Sequence, residues 1–216
     1  MSRETRLIAV LGVLLVLLTV SGLDPHDRLT WLMEVAPILI ALPVLLATWR
    51  RFPLTSLLYA LLFVHAAILM AGAAYTYARV PFGFWLQDLF ELARNPYDKI
   101  GHFAQGFVPA LVAREILLRG HYVRTRRMLG FLVLCVVLAI SASYELIEWL
   151  AAVLLGQGAD AFLGTQGDPW DTQSDMAFAL VGAACALVGL SRLHDRQLEH
   201  VGQPPAPSQA DSRHPR

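Results

Sequence analysis

MLGFLVLCVVLAISASYELIEWLAAVLL, residues 128–155, is apolar enough to cross a bilayer yet carries Glu145 and Glu148 in its second half. A hydrocarbon core about 30 Å thick needs roughly 20 apolar residues in a helix, so the stretch reads as a span. An acid at a helix centre costs on the order of 2.5–3.5 kcal/mol on insertion scales, and an ionisable group inside a span is by default a functional-site hypothesis. Residues three or four apart share a helix face, so Ser141, Glu145 and Glu148 make one polar stripe. If Trp149 marks the interface these acids are shallow; if the run to Leu155 is all buried they are deep.

The pattern repeats on both sides. Apolar stretches at about 6–23, 31–49, 54–78, 99–118, 128–152 and 171–191 predict an all-α, polytopic bundle of about six spans. With 56% hydrophobic and 16% charged residues in 216, and a mean hydropathy of +0.52, the chain falls well below the quarter of charged residues usual in soluble domains. Trp31, Trp49, Trp149 and Trp170 stand near predicted span ends, as interfacial aromatics do. The first stretch, LIAVLGVLLVLLTV, lacks a small-x-small cleavage site before Asp24-Pro25 and reads as a retained helix, not a signal peptide.

Orientation follows from the cations. With the N-terminus cytoplasmic, Arg3, Arg6, Arg50, Arg51, Arg114, Arg119, Arg124, Arg126, Arg127, Arg192, Arg196, Arg213 and Arg216 share the cytoplasmic side, against Arg28, Arg79, Arg94 and Lys99 on the other. The positive-inside rule then predicts both termini inside. Residues 1–195 form one membrane-embedded domain, and residues 196–216, Pro-rich and polar, form a disordered cytoplasmic tail. Near 82–94, Trp85, Leu86, Leu89, Phe90 and Leu92 recur at helical spacing opposite Gln87, Asp88, Glu91 and Arg94, predicting an amphipathic helix on the outer surface or packed on the bundle.

Two further polar groups fall on the same predicted leaflet as Glu145 and Glu148. Asp98, His102 and Gln105 form a stripe in YDKIGHFAQ, and Asp168, Asp171 and Asp175 open the last span in GDPWDTQSD. Asp168 before Pro169 reads first as a helix N-cap. Asp171 reads equally as a first-turn acid complementing the helix dipole. Asp98 could likewise cap its helix, with Lys99 snorkelling to the interface. His102, Glu145, Glu148 and Asp175 have no such local explanation.

So many acids facing one histidine and one lysine need a bound cation, shared protons or a wet cavity. Paired carboxylates and histidines on bundle helices suit metals, here zinc, manganese or magnesium. Asp98, His102 and Asp175 are the candidate metal ligands, and Glu145, Glu148 and Asp171 the candidate catalytic acid/base groups. A metal would activate water or polarise a phosphoryl oxygen of a lipid or envelope component. The alternatives are a proton- or cation-coupled carrier and a non-catalytic structural subunit.

Other features carry less. His65 reads as a lone core histidine, Glu34 as an interfacial acid that could also join the cluster, and Cys135 and Cys185 as small apolar packers without disulfide spacing. Ala179, Gly182, Ala183, Ala186 and Gly189 allow close helix packing. Zero net charge argues against nucleic acid as a partner. HExxH, GxSxG, a phosphate-binding Walker loop and the Pro-Ser-Gly-His segment of lipid phosphatases are absent.

Through YDKIGHFAQGFVPAL, SYELIEW and GDPWDTQSDMAFALVGA the chain resembles the YjdF-like bacterial inner-membrane proteins, over about residues 5–195. In its Asp-Lys-x-x-His opening, later Glu and spaced Asp pattern it more distantly resembles VanZ-like membrane proteins, with Asp175 where that pattern has Asn. The resemblance implies a polytopic membrane fold and points to the same residues; it transfers no activity.

Overall fold

The computed structural model describes residues 3–155 and 166–201, all helices and connections among them. In chain order the helices are α1 (Arg3–Leu23), α2 (Arg28–Thr48), α3 (Ser56–Tyr75), a 3-10 turn (Tyr77–Arg79), α4 (Pro81–Leu89), α5 (Tyr97–Arg119), α6 (Arg126–Leu155) and α7 (Asp171–Leu198). α1, α2, α3, α6 and α7 are long and apolar enough to cross a membrane. α5, the remaining predicted span, has 23 residues and so is about 34 Å long at 1.5 Å per residue. It does not qualify by composition, because Asp98 and Lys99 near one end and Arg114, Glu115 and Arg119 near the other leave a short apolar stretch interrupted by His102 and Gln105.

Those charges are tolerable because α5 is the inner helix of the bundle, packed on α3, α6 and α7. Its contact with α7 is backbone-close. A Cβ on Gly106 would strike the Ala179 carbonyl, and one on Gly182 would strike the Phe103 carbonyl. Ala179, Ala183 and Ala186 are fully buried in the same seam. Small residues let two helix backbones approach where no water drives them together. Gly189 does not join the seam; a Cβ there would meet open space.

Side-chain contacts fix the directions. Lys99 reaches Asp171 and Asp175, while Arg114 reaches His194 and Asp195, so α5 and α7 run parallel. Thr55 meets Glu115 and the Tyr97 hydroxyl meets the Ile68 carbonyl, so α3 runs opposite to α5. Arg126 lies by Asp195 and Tyr144 by His102, so α6 is antiparallel to both α5 and α7. The bundle therefore has two polar ends separated by apolar packing of Leu58, Leu111, Val133, Val137 and Ala183.

Local signals set the boundaries. Asp27 Oδ1 accepts the Thr30 N–H at 2.7 Å and caps α2, which holds the Asp27 carboxyl below the usual range. Trp31 Nε1 donates to Ser21 Oγ at 3.1 Å and ties α2 to α1. α4 starts with Pro81 at its first turn and ends at Leu89, shorter than the helix expected near 82–94, because Glu91 takes a left-handed φ of 52°. Arg94 thus leaves the amphipathic face and turns toward α7.

α7 continues to Leu198, beyond the domain end expected at 195, since Asp195 and Gln197 are held by Arg114 and the Leu57 N–H. Residues 202–216 of the predicted tail lie outside the described residues. Cys135 and Cys185 are unpaired and face outward instead of packing inside. They share that outer surface with large apolar side chains such as Val16, Leu154 and Val188, the last 88% exposed.

Candidate functional site

At one end of the bundle, α5, α6 and α7 bring together Asp98, His102, Glu145, Asp171 and Asp175, all buried, with Glu148 half-buried beside them. The i to i+4 spacing puts Asp98 and His102 on one face of α5 and Asp171 and Asp175 on one face of α7. Parallel packing of the two helices then sets these faces against each other.

Lys99 sits at the centre. Its Nζ lies 2.8 Å from Asp171 Oδ1, 2.5 Å from Asp175 Oδ1 and 3.5 Å from Asp98 Oδ2. It points inward to these acids and does not snorkel, because three carboxylates attract it more strongly than an interface would. Arg94 is a second internal cation, 2.8 Å from both Asp168 Oδ2 and Asp171 Oδ1. The segment carrying it is pinned by a two-way amide link, in which Asn95 N–H donates to Gln166 Oε1 and Gln166 Nε2 donates to the Asn95 carbonyl.

Neither capping role holds. The residue before α7 is Trp170, whose N–H Asp168 accepts at 2.9 Å in a local turn, so Asp168 serves that turn and Arg94. α5 follows Pro96, with Asn95 Oδ1 accepting the Tyr97 N–H at 3.0 Å, which leaves Asp98 to the interior.

His102 faces the carboxylate oxygens that Lys99 does not touch. Its Nε2 is 3.5 Å from Asp98 Oδ1 and 3.8 Å from Asp175 Oδ2. Its Nδ1 is 3.0 Å from Gln105 Oε1 and 4.0 Å from Glu145 Oε1. With Nδ1–H donating to Gln105, a deprotonated Nε2 would offer a lone pair beside Asp98 Oδ1 and Asp175 Oδ2. A ligating histidine is commonly held this way through its other nitrogen. One donor atom from each of Asp98, His102 and Asp175 lies within 4.8 Å of the others. Two donors about 2.1 Å from a tetrahedral ion would be about 3.4 Å apart, close to the 3.5 and 3.8 Å from His102 Nε2 to the two carboxylates.

Acceptors are in surplus. Among the described residues, Asp98 Oδ2, Glu145 Oε1 and Ser141 Oγ are buried without a hydrogen-bond partner. A cavity of about 140 Å3 adjoins the group, lined by Glu34, His65, Asp98, His102, Tyr144 and Glu148 among others. That is space for a few waters at about 30 Å3 each. Glu34, expected at the interface, is 3% exposed and accepts the Tyr144 hydroxyl at 3.3 Å. His65 shares the cavity, and its Nε2 has no hydrogen-bond partner. Pro109, which also lines it, lacks the N–H that would bond to the Gln105 carbonyl one turn earlier.

The opposite end holds a second buried polar group that sequence reasoning missed. Glu115 Oε2 accepts Thr55 Oγ1 at 3.0 Å, Thr55 N–H at 3.3 Å and His194 Nε2 at 2.9 Å, while Oε1 accepts Arg119 at 2.8 Å. Arg114 donates to His194 Nδ1 at 3.0 Å and to Asp195 Oδ1 at 2.6 Å. A guanidinium only donates, so His194 Nδ1 accepts and Nε2–H donates to Glu115. The notable carboxylates are therefore not confined to one side. Arg114, Glu115 and Arg119 in REILLR carried a usable signal, an acid with a basic neighbour and a basic partner four residues on.

A family model described as a predicted membrane protein, DUF2238, matches residues 6–196. The chain is 64% identical over 189 residues to the inner membrane protein YjdF of Escherichia coli (strain K12), covering 88% of this chain and 90% of that protein. No solved structure matches. With its helical bundle and near full-length match, the chain belongs to the DUF2238 family of predicted membrane proteins.

Proposed function

We propose that Asp98, His102 and Asp175 bind a divalent metal at the extracytoplasmic leaflet of the bacterial inner membrane, and that the site acts on a lipid or envelope component there. The observation that carries this reading is the division of labour between oxygens. Asp98 and Asp175 each turn one oxygen to Lys99 and the other to His102 Nε2, so three donors converge while an internal cation limits their mutual repulsion. Glu145, whose Oε1 is unpartnered, and Glu148 would move protons beside the metal. Asp171 anchors Lys99 and Arg94. A bound metal supplies Lewis acidity to a phosphoryl or carbonyl oxygen, or a water of lowered pKa. The Arg-rich opposite end, with Arg114, Arg119, Arg124, Arg126 and Arg127, supports placing this site away from the cytoplasm.

Metal analysis of detergent-purified protein tests the reading. About one zinc, manganese or magnesium ion per chain is expected, lost in His102→Ala and Asp175→Asn and retained in Asp168→Asn. Protein that takes up none of these ions when offered them overturns it.

A second reading, a proton- or cation-coupled carrier, draws on the cavity that extends the acids toward His65. It needs a polar route to the other end. The buried Leu58, Leu111, Val133 and Val137 stand in that route, which favours a one-sided site.

A further inference from the structure

An apolar cleft of about 550 Å3 lies beside the acidic site, between the α4 segment and helices α5 and α7. Leu86 and Phe90 form one wall, and Ile100, Phe103 and Phe178 the other. Ligand sites commonly enclose about 300–1,000 Å3, so the cleft has room for a hydrocarbon chain. Its only charged lining residues are Arg94 and Lys99. Both are also members of the acidic site, since Arg94 contacts Asp168 and Asp171 and Lys99 contacts Asp171 and Asp175.

We propose that this cleft seats an acyl chain of a phospholipid whose phosphate meets Arg94, at the edge of the acidic site. The charge pattern selects that occupant: a long apolar wall with cations at a single end matches an apolar chain ending in an anion. Asp168 and Asp171 behind Arg94 hold its guanidinium in position for it, an ordering cost already met before the lipid arrives. Arg94 offers planar, charge-assisted donors suited to a phosphate.

The placement also gives the lipid a meaning for the site. Arg94 and Lys99 share Asp171 Oδ1, and Lys99 also holds Asp175, so a phosphate on Arg94 lies close to the Asp98, His102 and Asp175 group. That the bound lipid is substrate rests on the metal-site reading above; that it binds does not.

The test is native mass spectrometry of the delipidated full-length chain in detergent with EDTA present. The protein is titrated with phosphatidylglycerol and, separately, with diacylglycerol of the same chains. One tightly held phosphatidylglycerol per chain is expected, with diacylglycerol held at least about tenfold more weakly, the loss of a charge-assisted contact. Arg94→Gln should remove most of that difference. Ala93→Trp, at an exposed position lining the cleft, should weaken both lipids. Equal retention of the two lipids by the wild type, or unchanged retention in Ala93→Trp, overturns the proposal. Because EDTA is present, lipid is read without metal: a protein that takes up no metal in the separate analysis sinks only the metal reading, and one that fails these lipid tests sinks only this proposal.

Discussion

Replacing Glu115 by alanine should be among the most destabilising single changes in the bundle. Glu115 is 0% exposed and accepts four contacts, two from Thr55 and one each from Arg119 and His194. Its removal leaves the buried Thr55 hydroxyl and His194 Nε2–H without an acceptor and strips Arg119 of its carboxylate. Arg119 recovers part of the loss, since its side chain is 23% exposed and it also donates to the Pro53 carbonyl. His194 and Thr55, at 0% and 1% exposed, cannot turn to solvent. Removing one partner of a buried ionic pair costs about 3–5 kcal/mol. That corresponds to about two to three and a half powers of ten in the folding equilibrium.

The assay is unfolding in mixed micelles of a mild detergent and SDS, followed by circular dichroism. Glu115→Ala should shift the midpoint to lower SDS by the equivalent of that loss. Glu115→Gln, which keeps the shape and one carbonyl acceptor, should cost about 1.5–3 kcal/mol, the range for hydrogen bonds to charged groups. In the double variant with His194→Phe the losses should fall short of additive by about 0.5–3 kcal/mol, since the pair shares one network. A Glu115→Ala protein within about 0.5 kcal/mol of the wild type, the range of ordinary surface changes, would refute the assignment of this cluster as a helix lock.

Two other changes test the packing and the boundaries. Gly106→Val must push α5 away from the Ala179 carbonyl and should cost about 1–3 kcal/mol as overpacking, read in the same SDS titration. Asp27→Ala should cost about 1 kcal/mol by uncapping α2. The Asp27 carboxyl is held below its ordinary value by the Thr30 N–H, so the cap is fully effective above the usual carboxylate range. The difference between wild type and Asp27→Ala should therefore shrink as pH falls through that lowered value.

Helices were legible because long apolar runs fit no other membrane-spanning form, and the stripes in YDKIGHFAQ and SYELIEW showed which faces were polar. The partners on those faces were not legible. Lys99 and Asp171 are 72 positions apart, and Arg114 and His194 are 80 apart, so local spacing carries no trace of their pairing. Lys99 and Asp168 each had a satisfactory local reading, as a snorkelling cation and a cap. Tertiary contacts overrode both. Glu34 sits inside and not at the interface for the same reason, since Tyr144 from α6 and Asp98 and His102 from α5 share its cavity. Gly189 continued the small-residue stripe of α7 in sequence, but the seam with α5 ends before it.

The parallel pairing of α5 with α7 also has a consequence for how the protein is made. α5 emerges from the ribosome carrying Lys99, Arg114 and Glu115, and the carboxylates and histidine that match them on α7 do not yet exist. Standing toward the ends of α5, each such charge resists transfer to lipid by less than the roughly 2.5–3.5 kcal/mol of a helix centre, but still resists it. Asp171 follows Lys99 by 72 residues, which at about 5–20 residues per second is a wait of about 4–14 s. During that interval α5 must be held by the insertion machinery or by α3. The middle of this bundle is thus assembled late, when its last helix arrives.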